Sequence, residues 1–169
     1  MTLLIPLVNL ERLTEATRYD TTSPALRGKL DLLVKQSADR LGMKIGLANF
    51  VMGATTHAIA SHGADTGMIE AGIPAEWSFC SRVVLTGCDY TVTDATADPS
   101  WQDTPAVTVI GARSYAGVPL VAPNGQVVGA HCVVDSKRRE FDAAELAHLR
   151  ESAKEIMRVM QDYRSTTEG

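Results

Sequence analysis

Residues 114–135, "SYAGVPLVAPNGQVVGAHCVVD", place two apolar runs on either side of Pro123-Asn124-Gly125. Asn-Gly between such runs is the strongest short hairpin signal, because these residues tolerate the positive φ that a tight hairpin turn demands. Two strands are therefore expected around Asn124-Gly125. The first of them carries Gly117 and Pro119, neither of which suits a plain central strand. Gly117 lets other atoms approach the backbone closely, and Pro119 cannot donate to a neighbouring ladder. Together they predict a strand that bends or bulges where something lies against the sheet.

Working outward from this hairpin, "KIGLANFVM" (44–52) and "THAIASHG" (56–63) read as two strands joined by a tight turn at Gly53-Ala54. "YTVTD" (90–94) is a third, so the hairpin supplies the fourth and fifth. Three segments have helical period instead. Residues 2–17 align Leu3, Leu7, Leu10 and Thr14 on one stripe, with Pro6 in the first turn. Ser23-Pro24 opens the second helix, which runs through Leu26, Leu30, Leu33, Val34, Ser37 and Leu41 to a stop at Gly42. Asp142 and Glu145 make a capping-box-like start for the third, where Leu146, Leu149, Ala153, Ile156, Met160 and Tyr163 recur at threes and fours. That spacing suits a seam between helices of two copies or packing on the sheet. The order helix, helix, strands, insertion, strands, helix is that of an α+β domain with helices on one face of an antiparallel sheet.

With 169 residues the chain is expected to form one domain with its own core. Its composition, 45% hydrophobic and 21% charged, speaks against both disorder and membrane spanning. The net charge of −4 argues against nucleic acid as a partner, and the one basic cluster, Lys137-Arg138-Arg139, sits in an expected turn. "MTLLIPLVNLERL" lacks a basic start and a cleavage site and is too short to span a bilayer, which points to the cytoplasm. Three cysteines in no metal-ligand spacing read as free thiols of a reducing compartment. The four histidines show no ligating spacing either, so no metal or cofactor is expected.

Two long insertions, residues 64–89 and 94–112, flank the third strand and carry Trp77, Phe79, Cys80, Trp101, Val107 and Ile110. A surface loop gains nothing from two tryptophans. The loops are expected to fold over the sheet face that the helices leave free, roofing a small-molecule site.

The run "RSYAGVPLVAPNGQVVGAHCVVDSKRREFDAAELAHL" resembles the second half of GAF domains: a Y-A-G-x-P-L strand, a Gly-containing hairpin, a C-V-x-D strand end and an F-x-x-x-E helix start. Upstream, "SFCSRVVLTGCDYTVTDATADPSW" is similar to the family's F-C segment, its strand ending in D-A and its following D-P. The resemblance implies an α+β, GAF-like central antiparallel β-sheet of five or six strands. N- and C-terminal helices pack on one face, and loops and short helices lie over the other. The implied domain covers residues 24–163, preceded by a helical extension over 1–23 and followed by a disordered tail over 164–169. Such domains commonly act as regulatory sensors in signal transduction and commonly dimerise through their terminal helices. A homodimer that binds a small molecule and signals to a separate protein is therefore expected. Met1 and the long N-terminal segment favour a stand-alone protein over a fragment.

Trp77, Phe79, Cys80, Trp101, Tyr115 and Val118 are the expected pocket wall, with Arg82, Asp94, Arg113 and His131 as polar contacts. His131 and Cys132 alternate, so only one of the two can face the pocket. No catalytic group is assigned. Cys80 resembles a cysteine of the free methionine-(R)-sulfoxide reductases, which share this fold. Those enzymes place a second, catalytic cysteine in the loop before the Y-A-G strand, where this chain reads "WQDTPAVTVIGARS". Thiol redox chemistry and a ligand-free interaction module are the alternatives. The N-K-x-x-x-D-E signature of cyclic-nucleotide GAF domains is absent.

Overall fold

A computed structural model describes residues 7–65, 67 and 71–165. Leu3 and Pro6 of the expected first helix, and residues 166–169 of the expected tail, lie outside them. Helix α1, Leu10–Thr17, begins where the Asn9 side chain accepts the Arg12 amide at 3.1 Å. Its buried face differs from the expected stripe. Leu10 is 80% exposed, while Arg12, Glu15 and Ala16 face inward. The cause is long-range pairing. Arg12 donates through both terminal nitrogens to the carbonyls of Val51 and Leu7, and Glu15 accepts from Arg164, so these side chains are drawn inward by partners that no local periodicity reports.

Helix α2, Pro24–Leu41, is capped by Ser23, whose Oγ accepts the Leu26 amide, and is closed by Gly42 at φ 66°. Leu26, Leu30, Val34, Ser37 and Leu41 form its buried stripe, as expected. The strands follow as β1 (Ile45–Val51), β2 (Thr55–His62), β3 (Ile73–Pro74), β4 (Tyr90–Val92), β5 (Ser114–Val121) and β6 (Val127–Asp135). They form one six-stranded antiparallel sheet in the order β3-β2-β1-β6-β5-β4. The two-residue edge strand β3 has no pattern that sequence reading could detect. Short helices α3 (Cys80–Thr86) and α4 (Pro105–Thr108) lie within the two insertions.

Helix α5, Ala143–Met160, starts with a complete capping box between Asp142 and Glu145. Its buried residues Leu149, Ala153, Ile156 and Met160 pack on β5 and α2 of the same chain. The stripe is thus consumed within the fold. Irregularity in β5 falls at Leu120/Val121, beside the turn, rather than at Gly117. Pairing with β4 ends at Gly117, so Pro119 lies beyond the edge strand and breaks no ladder on that side.

The sheet is packed on both faces. Ala48, Phe50, Ala116, Val118, Leu120 and Val133 meet α2 and α5. Leu47, Val51, Tyr115, Ala130 and Cys132 meet α3 and the loops. At the other end of the chain, Tyr19 and Arg164 form a β-bridge and the Ser165 amide donates to the Arg18 carbonyl at 2.7 Å. The first two residues of the expected tail are therefore tied down. No described helix is long and apolar enough to cross a membrane.

Candidate functional site

Aromatic packing pins the insertions to the sheet. Phe79 lies 4.3 Å from Trp101 and 5.0 Å from Tyr115, ring centre to ring centre, and Trp101 Nε1 donates to Tyr90 Oη at 2.7 Å. The turn before α3 is fastened twice. Ala75 donates its amide to the Ala54 carbonyl at 2.9 Å, and Ser81 Oγ donates to the Ala75 carbonyl at 2.6 Å.

Between this roof and the sheet lies a chamber of about 250 Å³. Ile45, Leu47, Asn49, Tyr115, Cys132 and Val134 form its floor, all projecting from one face of β1, β5 and β6. Trp77, Ser78, Phe79, Cys80, Ala106, Ile110 and Ala112 form the roof and wall, and the exposed Lys44 and Asp65 also border it. The lining is mainly apolar.

Its polar centre is a sulfur atom. Cys80 Sγ receives hydrogen bonds from Tyr115 Oη at 3.1 Å and Asn49 Nδ2 at 3.3 Å, and lies 3.8 Å from Cys132 Sγ. The hydrogen bond with Cys132, helped by those from Tyr115, Asn49 and Ser78, holds the Cys80 thiol below its ordinary value against the opposing effect of burial. Cys132 is pushed up as the partner that keeps its proton, and burial raises the Tyr115 phenol.

The expected site residues divide. Trp77, Phe79, Cys80 and Tyr115 border the chamber. Trp101, 2% exposed, stands behind Phe79 as an anchor and does not line it. The Arg82 guanidinium lies over the Trp101 ring at 5.4 Å, away from the chamber lining. Asp94 and Arg113, expected as polar contacts, pair with each other through two bonds of 3.0 and 2.9 Å. That pairing lowers Asp94 and raises Arg113, and it leaves neither charge in the chamber.

Val118 and His131 are corrections of face. Tyr115 and Cys132 point into the chamber, so strand alternation sends Val118 and His131 to the helix side. His131 is buried there. The Leu47 carbonyl, 2.9 Å from Nδ1, can only accept, so Nδ1 carries the proton and Nε2 accepts from Ser37 Oγ at 2.8 Å. Burial lowers the His131 pKa to about 4.

Sequence reading missed Asn49 and Cys132 as chamber groups. Asn49 was detectable as the one amide in an apolar strand, and Cys132 by its parity with Val134. Among the described residues no cluster of His, Cys, Asp or Glu could hold a metal ion.

The family model of the GAF domain matches residues 29–161. A cyclic di-GMP phosphodiesterase of Pseudomonas aeruginosa is 37% identical over 98 residues, which are 55% of this chain and 16% of that protein. The chain thus spans about a sixth of the length of this relative. The GAF domain from an Acinetobacter phosphoenolpyruvate-protein phosphotransferase superposes with a TM-score of 0.68 at 16% identity, covering 96% of this chain and 94% of that one. A type II free methionine-R-sulfoxide reductase from Thermoplasma acidophilum superposes with a TM-score of 0.66 at 15% identity, covering 83% and 95%. At such identities the likeness extends to the fold.

Proposed function

The chain belongs to the GAF domain family, and from that premise we propose that it is a small-molecule-binding sensory domain of signal transduction whose ligand site is the chamber under α3. The observation that carries this reading is the chamber itself. A volume of about 250 Å³ remains on the face of the sheet that the terminal helices do not cover. Ligand sites usually hold about 300–1,000 Å³, so the guest is small. Apolar walls select a largely uncharged body, and the Asn49 amide, Ser78 and Tyr115 offer a few fixed polar contacts. Binding draws α3 and the 95–112 segment onto the sheet and shifts the population of roof conformations, which a separate signalling protein in the cytoplasm reads.

The reading includes a homodimer through the terminal helices. Because the α5 stripe is used within the chain, the dimer contact falls on outward positions such as Leu10 and Leu32, which are 80% and 55% exposed. Sedimentation tests that part, and a monomer at all working concentrations overturns it. Free methionine-(R)-sulfoxide reduction fits less well, because residues 101–114 offer no cysteine to act as the expected nucleophile.

The ligand site is tested by native mass spectrometry of freshly purified protein, followed by a melting-shift screen of small neutral compounds. Binders should raise the melting temperature of the wild type and lose that effect in Ala112→Leu, which fills the chamber. Equal shifts in both proteins overturn the assignment.

A further inference from the structure

We propose that Cys80 and Cys132 are an oxidisable dithiol, reached by small hydroperoxides through the chamber and closed by them into a disulfide that ties α3 to β6. The inference goes beyond ligand binding and needs no resident guest. A disulfide requires the sulfurs about 2 Å apart. They stand at 3.8 Å, both free and both on the chamber wall, one on the roof and one on the floor. Closing the bond requires the two side chains to turn toward each other across the chamber wall.

The surroundings assign different roles to the two thiols. Cys80 Sγ is the acceptor of two fixed donors, Asn49 Nδ2 and Tyr115 Oη, so negative charge is stabilised on that sulfur. Cys132 keeps its proton beside it. Cys80 is thus the attacking sulfur and Cys132 the resolving one. The Cys80 thiolate attacks the peroxide oxygen, forming an S–O bond as the O–O bond breaks. Cys80 becomes a sulfenic acid and the leaving alkoxide takes up the proton that the thiol gave away, departing as alcohol, or as water from hydrogen peroxide. The Cys132 sulfur then displaces the hydroxyl, the S–S bond forms, and the Cys132 proton leaves with it as water. Two thiols lose two electrons and the peroxide gains them.

The chamber also sets the oxidant class. A cavity of about 250 Å³ with apolar walls passes a small neutral peroxide and rejects glutathione disulfide, which is bulky and anionic. Cys88, exposed on the turn after α3, meets both and serves as an internal control.

The test is non-reducing peptide mapping of the intact protein after brief exposure to hydrogen peroxide or to glutathione disulfide. Hydrogen peroxide should give a Cys80–Cys132 linked peptide that a dithiol reductant reverses, and glutathione disulfide should modify Cys88 alone. In Cys132→Ser, the same exposure should leave a sulfenic acid at Cys80 that a cyclic dione traps. Cys80 and Cys132 remaining as free thiols while Cys88 oxidises overturns the proposal, as does a linkage that uses Cys88. The wild-type map decides even if the variant does not fold. Failure here leaves ligand binding intact, because a guest needs the chamber volume and not the thiol chemistry.

Discussion

The phenol of Tyr115 lies across Gly117, two residues on along β5 and on the same face of the sheet. A Cβ built on Gly117 would stand 2.2 Å from Tyr115 Oη and 2.6 Å from Cζ. The glycine in this strand thus makes room for the ring that reaches Cys80. The ring has little freedom to yield, since Phe79 lies 5.0 Å and Tyr90 6.2 Å from it. Gly117→Ala should destabilise the fold by about 1–3 kcal/mol, the usual scale of overpacking. It should also pull Tyr115 off the Cys80 sulfur, so that the thiol loses a donor and its ionisation moves up. Urea unfolding and the pH-rate profile of alkylation check the two effects. An unchanged profile would show that the phenol does not act on the sulfur.

His131 predicts how stability depends on pH. Its folded pKa is lowered to about 4 by burial, against an ordinary 6.5. Between those values the unfolded chain binds a proton that the folded chain does not, so stability rises with pH through this window. The contribution is complete above pH 6.5 and is lost as pH falls to about 4, for a total of about 3 kcal/mol. His148, 3.5 Å from Ser37 Oγ, is lowered by burial and by Arg40 and acts with the same sign. Denaturant unfolding at pH 7 and pH 5 should show the fall in the wild type and in His148→Gln. In His131→Leu most of it should disappear.

What sequence reading recovered and what it missed divide along physical lines. Both long helices were legible because their ends are local chemistry: Ser23 and Gly42 for α2, Asp142 and Glu145 for α5. The hairpin was legible from Asn124-Gly125 for the same reason. Strand parity put His131 and Cys132 on opposite faces but did not say which of them faced the chamber, and Val118 was misplaced because parity with Tyr115 was not applied. Contacts between distant groups left no trace. Nothing near Asp94 announces Arg113, and nothing near Arg12 announces the Val51 carbonyl. The same limit hid the meeting of Cys80 with Cys132, which depends on how α3 settles over β6.

The two tryptophans, alike in sequence reading, should separate in fluorescence. Trp77 borders the chamber and Trp101 is buried behind Phe79, donating to Tyr90. Acrylamide should quench the wild type strongly and Trp77→Phe weakly. A chamber ligand should perturb emission in Trp101→Phe and leave Trp77→Phe unchanged. A signal carried by Trp101 alone would place the guest elsewhere.

Glu15 and Arg164 clasp the two ends of the chain. The carboxylate, 1% exposed, accepts from Arg164 Nη2 through both oxygens, at 2.5 and 3.1 Å. Arg18 Nε is 3.9 Å away. A buried carboxylate stripped of its partner is worse than an apolar group in its place. Arg164→Ala should therefore lower the melting temperature by several degrees, and the double variant Glu15→Leu with Arg164→Ala should recover much of the loss. The backbone bridge of Tyr19 with Arg164 and the bond from Ser165 to Arg18 lie beside the same clasp. Hydrogen exchange at the Ser165 amide should accelerate in Arg164→Ala ahead of any change in the sheet. If the single and double variants melt together, Arg18 or solvent is satisfying Glu15, and the ends are held by their backbone bonds alone.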